Sequence, residues 1–106
     1  MIIHVKNKNT LIIGEFKLKC CIGKNGIRSD KKEGDYSTPK GLFSLEKLYF
    51  RKDRVGIPSC KIKKKIINKN MAWCDEPTHK KYNEEIKINS NNTKENLYRI
   101  DHKYDY

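Results

Sequence analysis

Cys20, Cys21, Cys60 and Cys74, with His4, His79 and His102, are the side chains here that could serve as nucleophile, base or metal ligand. A thiol attacks as its thiolate, which needs a base or a cation beside it. Zinc needs Cys and His at short, regular spacings. Neither pattern is present. No C-x-x-C occurs, and His79 follows Cys74 by five residues. Adjacent Cys20 and Cys21 point to opposite faces if they lie on a strand. No metal or cofactor is expected, and the four thiols read as reduced, small apolar side chains.

A different kind of signal lies in "KKEGDYSTPKGLFSL", Lys31 to Leu45. Gly34 and Gly41 allow a left-handed backbone, Pro39 fixes its own φ, and Thr38 before it is biased towards an extended conformation. Asp35 is suited to accept from amides two residues on. These residues predict a rigid, shaped loop, which by itself does no chemistry.

The elements that hold this loop follow from hydrophobic period. "MIIHVK" sets Met1, Ile3 and Val5 on one face, and "KNKNT" follows as a turn. "EFKLKCCIG" alternates Phe16, Leu18, Cys20 and Ile22 against Glu15, Lys17, Lys19 and Cys21, with Gly14 marking a bend before it. Gly23 to Pro39 reads as loop, and Gly41 to Tyr49 as largely strand. "KIKKKIIN", "MAWCDE" and "EEIKINS" are short strand candidates. "NTKENLY" predicts one helical turn capped by Asn92 or Thr93. The chain reads as mostly β.

At 106 residues it is at most one domain, taken as residues 1–106, able to bury roughly two-thirds of its unfolded surface. No stretch approaches the ~20 apolar residues of a membrane span. The N-terminus "MIIHVKNKNT" has no apolar run long enough for a secretory signal. The net charge is +11, but twenty of the 24 basic residues are Lys and four are Arg. Base and phosphate recognition favours the Arg fork. The charge therefore predicts no specific nucleic-acid partner, and any binding to anionic polymer should be non-specific and collapse with salt.

Six segments in order resemble the L,D-transpeptidase catalytic (YkuD) family. They are "IGKNGI" from Ile22, "KKEGDYSTPKGLFSL", "YFRKDR" from Tyr49, "WCDEP" from Trp73, "YNEEI" from Tyr82 and "LYRIDHKYDY" from Leu97 to Tyr106. The resemblance implies a β-sandwich or barrel-like domain. It also implies cysteine acyl transfer on peptidoglycan stem peptides, on the wall side of the membrane. In that chemistry a thiolate attacks the carbonyl after an L-centre, a D-residue leaves, and an amine or water takes the acyl group. By resemblance Gly34, Asp35, Thr38, Pro39, Gly41 and Arg54 shape the rim of the substrate cleft. Trp73, Asp75, Tyr82 and Asn83 brace its wall, and Arg99 and Asp101 alternate on a strand.

The family's His and its Ser/Thr-x-Gly-Cys nucleophile block have no match in this sequence. None of the four cysteines follows a Gly: Cys60 stands in "PSCK" and Cys74 in "AWCD". The expectation is a partial domain lacking its C-terminal active-site part, inactive alone, with an unpaired strand at "HKYDY" open to self-association. The alternative is a non-catalytic basic β-module that binds nucleic acid or cell-wall polymer.

Overall fold

The two alternating segments near the N-terminus flank a third strand as antiparallel neighbours: β1 (Ile3–Asn7), β2 (Thr10–Ile13) and β3 (Phe16–Lys19), in the order β1-β2-β3. Their register sets Ile3 opposite Ile13 and Ile13 opposite Phe16, with Val5, Leu11 and Leu18 in the next row. Facing partners share a side of the sheet, so one face is apolar across all three strands. Lys8–Asn9 and Gly14–Glu15 are the two turns, the second at the bend expected from Gly14.

The computed structural model describes residues 1–106, which fall into two compact units, Met1–Phe43 and Ser44–Tyr106. Beyond its three-stranded sheet, the first unit contains a long loop closed by two short parallel strands, β4 (Ile27–Arg28) and β5 (Thr38–Pro39). The donors from this part of the chain to β4 are Thr38 N and Lys40 N, at 2.8 Å from Gly26 O and 2.8 Å from Arg28 O. Pro39 stands between them, where the ladder asks for no N–H.

The second unit contains β6 (Lys47–Phe50), the single helical turn α1 (Lys52–Val55), β7 (Lys63–Ile66), β8 (Met71–Cys74), β9 (Glu85–Lys87) and β10 (Lys94–Asn96). β6 and β7 run parallel, while β8 lies between β10 and β9 in an antiparallel sheet. Met71, Ala72 and Cys74 are buried, as befits a central strand covered on both faces. Ile67, Met71 and Leu97 form one core cluster, packed by Tyr49, Trp73, Tyr98 and Tyr104; Ala72, Cys74 and Ile86 form another. Every buried apolar residue of the chain belongs to this unit.

Strands thus take 33% of the chain, with almost no helix, in several small sheets. Three local expectations fail. Of the run from Gly41 to Tyr49, only Lys47 to Tyr49 is strand; Leu42, Phe43 and Leu45 are 92%, 66% and 68% exposed, and no neighbouring strand pairs with them. "NTKENLY" makes no helical turn, because Lys94–Asn96 pairs with Cys74–Ala72 and cross-strand bonding overrides the local capping signal. "LYRIDHKYDY" is no strand either. Its backbone carbonyls turn to arginines of α1 and its flank, so the expected unpaired strand edge at the C-terminus does not form.

Truncating Leu97, 7% exposed in the core, should cost about 2–5 kcal/mol, whereas Leu42→Ala should stay within about 0.5 kcal/mol. Urea unfolding followed by the fluorescence of Trp73, the only tryptophan and a neighbour of that core, reads both values. Equal effects would contradict this assignment of the core.

Candidate functional site

The loop signalled by "EGDYSTPKG" is organised by Asp35. Its carboxylate accepts from Lys32 N at 2.8 Å, from Ser37 N at 2.9 Å, from Ser37 Oγ at 2.7 Å and from Lys31 Nζ at 2.8 Å. These donors, the Lys31 ammonium first, hold Asp35 well below the usual carboxylate range. The turn before it closes from Asp35 N to Lys32 O at 3.3 Å, with Gly34 at φ 76°, the value a type II turn requires at its third residue.

Thr38 ties the far side of the loop. Its hydroxyl accepts from Gly23 N at 2.8 Å, and Asn25 Nδ2 donates to Asp35 O at 2.9 Å. At Gly23 a Cβ would lie 2.4 Å from Tyr36 O, so only glycine allows the backbones to come this close. Tyr36 adopts φ 54° and its side chain is 73% exposed. A non-glycine residue in this region is sparsely populated and persists here because bonded neighbours hold it. Gly41 sits at φ 157°, a backbone conformation L side chains rarely adopt, and an added Cβ would also meet the ring of exposed Phe43 at 3.1 Å.

Arg54, the remaining residue expected at a cleft rim, lies in the second unit and is occupied there. Its guanidinium donates to Arg99 O (3.1 Å), Ile100 O (2.7 Å) and Asp101 O (2.6 Å), and pairs with Asp105 Oδ1 at 2.9 Å. Arg51 works beside it. It is 3% exposed, bonds Asp53 through Nε and Nη2 at 2.8 and 2.7 Å, gives Nη1 to Arg99 O at 2.8 Å, and lies 3.6 Å over the Tyr98 ring. A buried guanidinium with each edge satisfied is stable where an unmatched one is not. Sequence reasoning passed over Arg51, although "RKD" is the same Arg-x-Asp spacing that recurs in "RSD" and "RID".

The wall cluster forms in part. Trp73 Nε1 donates to Asn83 Oδ1 at 2.9 Å and its ring meets Tyr49 edge-on, while Asp75 N bonds Thr93 O. Tyr49 donates to Glu85 at 2.9 Å, and burial followed by that carboxylate pushes its phenol up to about 12. Burial pulls Glu85 upward, but bonds from Lys65 and Tyr49 outweigh it and the net shift is down. Arg99 and Asp101 pair with each other at 2.8 Å, on irregular chain rather than on a strand.

No thiol is hydrogen-bonded to a histidine or a carboxylate. Cys20 and Cys60 reach backbone carbonyls of Asn7 and Ile62 at 3.9 Å, Cys21 is exposed, and Cys74 is fully buried in β8. His79 Nδ1 accepts from Lys81 N at 3.0 Å, and His102 Nδ1 lies 2.7 Å from Asp105. The hydrogen bonds of the thiols go to backbone carbonyls and those of His79 and His102 to Lys81 N and Asp105.

Two expectations test these contacts. Lys in place of Arg54 keeps the charge but cannot reach several acceptors in one plane. Arg54→Lys should therefore cost at least about 1.5 kcal/mol and strip amide-exchange protection from Arg51, whose N–H bonds Asp105 O at 3.0 Å. Retention of that protection would show that the clamp does not hold the segment. The second concerns acid. Asp53 and Asp101 are held at about 2 by Arg51 and Arg99, below the ordinary 3.8. Depressed values mean stability that is complete above about pH 5 and lost as pH falls through about 4 towards 2. The urea midpoint should stay level from about pH 5 to 7 and drop below that window, less steeply in Asp53→Asn. No family model, curated protein or solved structure matches the chain.

Proposed function

We propose that this chain supplies the framework of an L,D-transpeptidase-like domain acting on peptidoglycan stem peptides, and not the nucleophile. The reading starts from six motif segments in family order. Its main support is the Asp35-centred loop, in which each motif residue meets a demand specific to its type. Gly34 takes a left-handed φ, Asp35 gathers four donors, Thr38 caps Gly23 N, and Pro39 stands where no donor is needed. A cleft wall must be rigid to orient a substrate, and such a loop is rigid by construction. The finer fold expected with the family, a β-sandwich or barrel, belongs to the same proposal.

In the reaction itself, a thiolate attacks the carbonyl after the L-centre, the bond to the terminal D-residue breaks, and an amine or water releases the acyl group. That sequence needs a low-pKa thiol beside a base, with amides around the oxyanion. None of the thiols here has such a neighbour.

Mass spectrometry of tetrapeptide stems incubated with the 106-residue chain should show no loss of D-alanine. Fusing a Ser/Thr-x-Gly-Cys segment with its His from a complete family member should restore release. A folded fusion that stays inert would count against the reading. So would release by the chain alone that Cys74→Ser or Cys60→Ser abolishes.

A further inference from the structure

All four guanidinium groups are matched to carboxylates within their own unit. Arg28, Arg51 and Arg99 each pair with the Asp two residues on, and Arg54 pairs with Asp105. The surplus positive charge is therefore carried by lysine. In Ser44–Tyr106 it amounts to fifteen basic against nine acidic residues.

An open hollow of about 530 Å³ in that unit has a mainly apolar wall made by Ile66, Ile67 and Tyr98. Arg51 lies over one face of the Tyr98 ring and is not part of the lining, so the ring borders the hollow through surface that Arg51 leaves uncovered. Ile66 is 47% exposed. Lys52 and Lys69 stand at the rim, both exposed, and no hydrogen bond or ion pair engages either ammonium. The carboxylate that shares the rim, Asp53, is already bonded twice by Arg51. An apolar, aromatic wall beside two unmatched cations complements a planar ring flanked by anions. The side open to solvent lets a polymer enter and leave.

We infer that this hollow takes one nucleotide unit of a single-stranded nucleic acid. The base packs against Tyr98 and Ile66, and the adjoining phosphates meet Lys52 and Lys69. Stacking on an aromatic side chain with lysine point charges is tolerant of sequence, because no free Arg fork is present to read base edges. This inference does not rest on the acyl-transfer reading.

Fluorescence anisotropy with a labelled thymidine oligomer, over a salt series on the full chain, tests it. Each phosphate contact contributes about 0.7 to the log–log salt slope for single strands, so Lys52→Gln with Lys69→Gln should flatten that slope by about 1.4. Removing Lys17 and Lys19 from β3 instead should leave it unaltered. An abasic oligomer of equal length should bind about tenfold more weakly than the thymidine oligomer, having lost the stacked base. The inference is overturned if the β3 pair flattens the slope as much, or if the Lys52 and Lys69 pair leaves it unchanged. Equal binding of the abasic chain, or equal competition by poly(glycerol phosphate), also overturns it, since a charged polymer without bases would then suffice.

Discussion

The second unit depends on one charged group placed among backbone carbonyls. The Arg54 guanidinium collects the carbonyls of residues 99, 100 and 101 and the carboxylate of Asp105. Without it, the carbonyls of residues 100 and 101 would have to find water or each other, and Arg99 O would keep only its bond from Arg51. Arg51 reinforces the arrangement from the buried side, using Asp53 to balance its charge and Tyr98 to cover its face. The C-terminal segment thus gains its order from side chains of α1 and its flank, where strands elsewhere gain theirs from a ladder.

The two units are stabilised differently. In Ser44–Tyr106, the core around Ile67, Met71 and Leu97 supplies apolar burial, and the strands of the three-stranded sheet align it. In Met1–Phe43 the buried residues are Thr10 and Ser37, both polar. Here the hairpin ladders and the donors around Asp35 provide the order, and net contributions from such bonds are individually modest. The loop's geometry therefore rests on many small, mutually dependent contacts.

Much of this was legible in the sequence, and the limits have physical causes. Period-two alternation located β1 and β3, and the short runs containing β7, β8 and β9, because a pleated strand sorts side chains residue by residue. Gly34, Asp35, Thr38 and Pro39 announced their loop because each answers a demand made within a few residues. Alternation misled at Leu42 to Leu45, where the same pattern lies on exposed irregular chain. The Asn92 capping signal lost to pairing with β8. The Arg54 clamp was hidden for a different reason. Its partners lie 45 to 51 residues away, and three of the four are carbonyls that every residue possesses.

The repeated Arg-x-Asp pairing also determines how the chain's charge can be changed. Amine acylation leaves guanidinium groups untouched, while ammonium groups on the surface are open to it. Acylation of lysine, which neutralises each amine it reaches, would act on the twenty lysines from which the net charge of +11 arises. The arginine pairs would remain intact. Erasing that charge would spare the bonds of Arg51 and Arg54 but break those that Lys31 and Lys65 make to Asp35 and Glu85.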